Sequence, residues 1–118
     1  MKNLILGTFL LAGITLFAQN TSPDFEQEDT LIRGTFYYED GAVKQEGTYK
    51  DGKLHGQWVM YAPDGSKMAI AHYEKGKKVG LWFYYQDQGL TQINYTDNRV
   101  AEVSEWKDRN IVYSQSNN

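Results

Sequence analysis

From residue 34 onward the chain alternates short aromatic runs with short polar clusters rich in Gly and Asp. Gln57 to Tyr61 (QWVMY) and Leu81 to Tyr85 (LWFYY) are two such runs. Each is followed by a turn cluster, Pro63-Asp64-Gly65 or Asp87-Gln88-Gly89, as Glu39-Asp40-Gly41 follows the earlier run around Phe36. Returning segments then run over Lys67 to Glu74 and Gln92 to Thr96. Aromatic and β-branched residues suit a pleated surface, and side chains alternate faces along a strand. Trp58 and Met60 therefore share a face, as do Trp82 and Tyr84. On the returning strands Ala69, Ala71 and Tyr73 share a face, matched by Ile93 and Tyr95. This is a pattern of successive hairpins.

The hairpins recur. Three segments align by eye, at residues 34–55, 56–79 and 80–101. Gly34, Gly56 and Gly80 open them, and Phe36, Trp58 and Trp82 follow two residues later. Tyr49, Tyr73 and Tyr95 stand near their ends. Asp51-Gly52, Lys75-Gly76 and Asp97-Asn98 then supply a second turn of the kind in which Gly or Asn tolerates positive φ. Units in matching register stack their rings into ladders. The motif G-x-W-x-x-Y…D-G…Y-x-x-G-K-x-x-G, carried by GQWVMYAPDG, HYEKGKKVG and GLWFYY, resembles the MORN-repeat variant of bacterial, antitoxin-like repeat proteins. The resemblance covers 34–101 and implies a meandering antiparallel sheet of stacked β-hairpin repeats, an all-β fold. The first unit departs from it: Phe36 replaces Trp, and its first turn reads as two residues shorter. The third has Asn98 where Gly52 and Gly76 stand. Such atypical end units are expected of caps.

The ends read differently. Residues 1–18, MKNLILGTFLLAGITLFA, form a leader: Lys2 gives the positive start and Leu4 to Phe17 an uncharged apolar stretch. Ala18 is the small residue suited to cleavage. The stretch is shorter than the roughly 20 residues that cross a bilayer. The expectation is a signal helix removed on export to the periplasm or beyond, with no stable membrane insertion afterwards. Residues 19–30, QNTSPDFEQEDT, read as a flexible polar arm. Residues 102–118 read as a capping hairpin, with Trp106 covering the end of the stack, and a frayed SQSNN tail.

Composition narrows the functions. The 118 residues make one domain. Without cysteine there is no disulfide, thiolate nucleophile or Cys-ligated metal. Net charge is −3, about −4 once Lys2 leaves with the leader, and the charges are interspersed. That argues against a nucleic-acid partner, which needs a basic patch, and against adhesion to anionic lipid.

Candidate chemistry is sparse. His55 lies in a turn and His72 in a strand, with no second ligand at a metal-binding spacing. Asp40, Asp51, Asp64, Asp87 and Asp97 sit in turns, where Asp bonds its own backbone. DGKLHG and KGKKVG lack the phosphate-loop arrangement. Proteins of this appearance sometimes carry a nicotinate-mononucleotide adenylyltransferase name, but neither histidine fits the HxGH-type site that chemistry requires. No cofactor is expected, and no catalytic residue emerges. Trp58, Tyr61, Trp82 and Tyr85 are the candidate binding face. The expectation is a non-catalytic exported module for a protein partner, antitoxin-like in the resembling proteins. The alternative is an aromatic platform for a cell-surface polysaccharide or lipid headgroup.

Overall fold

The computed structural model describes residues 21–108 and 110–117, so the leader with Ala18 lies outside the described residues. The described chain forms ten strands and no helix. They are β1 (Asp24–Glu28), β2 (Leu31–Tyr37), β3 (Val43–Lys50), β4 (Lys53–Tyr61), β5 (Lys67–Glu74), β6 (Lys77–Lys78), β7 (Gly80–Gln86), β8 (Gly89–Thr96), β9 (Arg99–Lys107) and β10 (Asn110–Ser116). All pair antiparallel in sequence order within one sheet; the two-residue β6 pairs β5 beside that path. The fold is the all-β meander of hairpins that the repeat implied.

The second turns explain the tight connections. Asp51-Gly52, Lys75-Gly76 and Asp97-Asn98 each hold two successive residues at positive φ, between 46° and 84°. That pairing matches the twist of the flanking strands. The turns also stack on one another: Gly76 N–H donates to Leu54 O at 2.8 Å, and Asn98 N–H to Lys78 O at 2.9 Å.

Three expectations are corrected. The first concerns register. Gly56 pairs with Tyr73 and Gly80 with Tyr95, but Tyr49 pairs with Ile32, and Gly34 pairs with Gly47. Gly34 therefore stands in the column of Trp58 and Trp82, and Phe36 in that of Met60 and Tyr84. The turns closed by Tyr38 N–H to Ala42 O and by Ala62 N–H to Ser66 O have the same bonding, so the first unit's turn is not short. The shortening lies in the third unit, where Gln86 pairs directly with Gly89.

The second concerns the arm over 19–30. From Asp24 it is a strand, paired with β2 from Asp24–Thr35 to Glu28–Leu31. Phe25 anchors it. Its ring packs 6.0 Å from Phe36 and 6.4 Å from Tyr49, over the side-chain-free Gly34. The Arg33–Glu28 ion pair (3.0 Å) and a Tyr37 hydroxyl bond to Asp24 (2.5 Å) hold the rest.

The third concerns the C-terminus. β9 begins at Arg99, before the expected hairpin, and β10 continues through Ser114 to Ser116, which the frayed tail was to include. Val103, opposite Ile93, continues the Trp column, whereas Trp106 lies on the other face opposite Leu90. The odd spacing from Val103 to Trp106 decides this.

The core is one face of a single layer. Trp58, Ala69, Ala71 and Trp82 are its buried hydrophobics among the described residues, with Phe36, Tyr49, Leu54, Met60, Tyr73, Tyr84, Ile93 and Tyr95 packed around them. The Trp58 indole lies across β3 at Gly47, where an added Cβ would fall 2.2 Å from the ring. Its Nε1–H donates to Thr48 O at 2.9 Å, and Trp82 Nε1–H donates to His72 O at 3.0 Å. Tyr49 meets Trp58 edge-on at 5.0 Å, and Tyr73 and Tyr95 flank Trp82 at 5.0 and 5.1 Å. Covering a ring of this size removes roughly 150–250 Å² from water, about 4–6 kcal/mol at 25 cal/mol per Å² as an upper bound.

Two outcomes follow from this packing. Gly47→Ala, which forces Trp58 off its seat, is expected to cost about 1–3 kcal/mol in urea unfolding and to red-shift the tryptophan emission. A midpoint equal to wild type would mean the indole does not rest there. Burial raises the pKa of Tyr49, Tyr73 and Tyr84, and for Tyr84 the neighbouring Tyr95 adds to it. Their neutral phenols favour the folded state fully below the ordinary value of about 10, and that contribution is lost as pH rises through the raised pKa. Circular dichroism should report unfolding together with phenolate absorbance in that alkaline range; ionisation of these tyrosines with no loss of stability would contradict the burial.

Candidate functional site

The four side chains expected to share a binding face are divided by the sheet. Trp58 and Trp82 lie on the aromatic inner face and are only 4% and 3% exposed. Tyr61 and Tyr85 stand three residues further along the same strands and project from the opposite, outer face. The tryptophans hold the sheet together and offer no open ring to a ligand. Tyr85, 44% exposed, does.

The remaining marked residues have structural places. Gly56 and Gly80 carry positive φ, 83° and 66°, at the entry to the Trp strands. Gly52 and Gly76 form the stacked turns, and Gly34 accommodates Phe25. Phe36, Tyr49, Tyr73 and Tyr95 pack against the buried indoles. Gly47 and Phe25 carry comparable weight and had not been singled out. A strand glycine signals close approach, but it does not say which ring approaches.

The outer face has an order of its own. Glu46 pairs with Val59, Val59 with Ile70, Ile70 with Phe83 and Phe83 with Gln92. The row therefore runs acidic, then apolar over three strands, then polar. A second row runs through Tyr85, Leu90, Trp106 and Ile111, each the cross-strand partner of the last. Val59, Tyr61, Ile70, Phe83, Leu90 and Trp106 are half-buried, and Leu81 and Tyr85 are exposed. No second layer covers these side chains among the described residues.

Hydrogen bonds and local charges fix the side chains around this face and the turns that border it. Tyr61 OH donates to Glu46 Oε1 at 2.8 Å, and that bond raises the Tyr61 pKa. Tyr38 OH donates to Tyr61 O at 2.7 Å, fixing the strand end. His72 Nδ1 lies 2.8 Å from Leu81 O, so it donates there, and His55 Nδ1 accepts the Lys75 N–H at 3.2 Å. Both histidines are thus tied to backbone. Asp64 accepts from the Ser66 hydroxyl and N–H, which lowers its pKa in the way a turn Asp should. On the inner face the Lys78 ammonium sits 5.1 Å from the Trp82 ring and 5.4 Å from Tyr95, covering the aromatic stack. Among the described residues no three His, Asp or Glu side chains gather closely enough to hold a metal ion.

One face is consumed by its own packing, and the other presents a flat apolar patch with a polar border. Comparison with known proteins agrees with the architecture. Residues 33–51 and 54–75 match the model of the MORN repeat variant. No curated protein matches the chain. MORN repeats are commonly protein- or membrane-binding modules. The matched spans coincide with β2–β3 and β4–β5, and β7–β8 repeats their geometry with a shorter turn. Over those two spans the chain carries repeats of the MORN variant type.

Proposed function

We propose that the chain is an exported, non-catalytic repeat module that binds a protein partner through the outer face of its sheet. The division between the faces carries this reading. The inner aromatics are spent on packing, while Val59, Ile70, Phe83, Tyr61, Tyr85 and Leu90 form a patch that packing does not use up. Apolar surface rimmed by polar side chains is the usual mark of a protein contact. The leader over 1–18 supports export, and an all-sheet fold without cysteine needs no oxidising machinery. An antitoxin-like role is the finer form of the proposal. Its partner would be an envelope or secreted toxin, because an exported chain does not meet a cytoplasmic one. A surface glycan, the competing occupant, would have to stack on Tyr61 and Tyr85, since both inner tryptophans are covered.

The test compares faces. Chain immobilised by its C-terminus is exposed to envelope extract, as wild type, as Tyr61→Ser/Tyr85→Ser and as Lys78→Ala. A specific protein should bind wild type and Lys78→Ala and be lost with the double tyrosine variant, at least tenfold in affinity if the rings are hot spots. Equal capture by all three would move the site off the outer face. Glycan-array binding with no specific protein would replace the protein reading by the polysaccharide one.

A further inference from the structure

The two edges of the sheet are built differently. An edge strand exposes unpaired backbone groups, and soluble proteins blunt it with charge, Pro or bulges. β1 does so with Asp24, Glu26 and Glu28 in five residues. β10, Asn-Ile-Val-Tyr-Ser-Gln-Ser, has no charged residue and no Pro. Ile111, Val112 and Tyr113 are 53%, 58% and 46% exposed in succession. A bulge interrupts the ladder between Ile111 and Tyr113. Beyond it β10 keeps an unbroken register against Glu105 to Glu102. The apolar row Tyr85–Leu90–Trp106–Ile111 on the outer face runs up to this edge and ends there.

We propose that β10 is a self-association edge, at which two copies of the chain pair β10 to β10 antiparallel about a twofold axis and continue one sheet through both. Charge selects this partner. The chain is net negative, so copies repel wherever their acids meet. Joining β1 to β1 sets three carboxylates against three. Joining β1 to β10 makes a contact that does not close and propagates into a filament. β10 against β10 brings no charge from either strand and closes on itself; with the axis in the regular stretch from Tyr113 to Gln115, beyond the bulge, it sets Tyr113 of each copy beside the other strand and covers the exposed Val112. The proposal goes beyond the partner-binding reading and does not depend on it, because the outer face of each copy stays open.

The absence of native cysteine makes the test direct. A twofold axis places identical residues opposite one another, so a single cysteine near it cross-links to itself when the Cα atoms come within about 7 Å. Tyr113→Cys, Ser114→Cys and Gln115→Cys are introduced one at a time in the full chain as expressed, with Glu26→Cys on the other edge for comparison. Mild oxidation should give a covalent dimer for at least one β10 variant and none for Glu26→Cys. Adding Val112→Lys to the cross-linking variant should cut the dimer yield several-fold, with the β spectrum in circular dichroism unchanged. Cross-linking only when Glu26→Cys and Ser114→Cys are combined would overturn the proposal in favour of head-to-tail assembly. Monomers throughout, with the β spectrum intact, would overturn it outright.

Discussion

An indole laid across a neighbouring strand that has almost no side chain beneath it is the contact on which the rest of this sheet depends. A single layer has no second layer to bury against. It hides apolar surface only by laying large rings flat over small residues of its own. Trp58 rests at Gly47 and pairs across the other side with Ala71. Its Nε1–H reaches Thr48 O, so the ring is fixed by direction as well as by area. Trp82 repeats the arrangement one unit on, with its Nε1–H on His72 O. The hydrogen bond matters because a buried indole donor left unpaired would offset part of what burial contributes. Trp106 is the contrast: its Nε1 is buried without a partner, and it lies outside the ladder on the opposite face.

This contact also dictates which face is available. Because the ladder needs every inner ring, a residue's use follows from its parity along the strand. Even steps from Trp58 or Trp82 lead to structural side chains, and odd steps lead to the outer face. Tyr61 and Tyr85 are odd steps, and so are Val59 and Phe83. The repeat pattern therefore specifies the inner positions together with one outer residue, the last Tyr of G-x-W-x-x-Y at Tyr61 and Tyr85, and leaves the other outer positions free to differ between units. They do differ here: the outer partner of Val59 is Glu46 on one side and Ile70 on the other.

Much of the architecture was legible in the sequence, for physical reasons. The turns were readable because positive φ restricts residue choice, and Asp-Gly, Lys-Gly and Asp-Asn each meet that restriction. The Tyr column and the tryptophans of the second and third units were readable because aromatic spacing is conserved by stacking. The first unit was misread because Gly34 resembles Gly56 as a residue while pairing as Trp58 does. Only the ladder to β3 reveals this. Strand β1 was misread because acids dominate its local composition, and one Phe opposite a Gly outweighs them only once β2 is in place. The binding face was grouped by residue type although its parity was visible: Trp58 to Tyr61 is three steps, which no regular strand keeps on one side.

The ends of the stack show what a repeat sheet must solve that its interior does not. Each interior unit supplies a ring to one neighbour and a seat for the ring of the next. At the N-terminal end Gly34 is a seat without a preceding tryptophan, and Phe25 from β1 fills it, while the acids of the same strand blunt the edge. One five-residue strand thus completes the packing and blocks the pairing. At the C-terminal end the ladder dwindles through Ile93 to Val103, so there is no open seat to fill. β10 adds a paired strand with its surface exposed throughout, and no charge. Packing is therefore complete at both ends, but charge opposes pairing at only one. In a sheet whose interior is so regular, that difference in charge between β1 and β10 gives the molecule a direction along which another strand can be added.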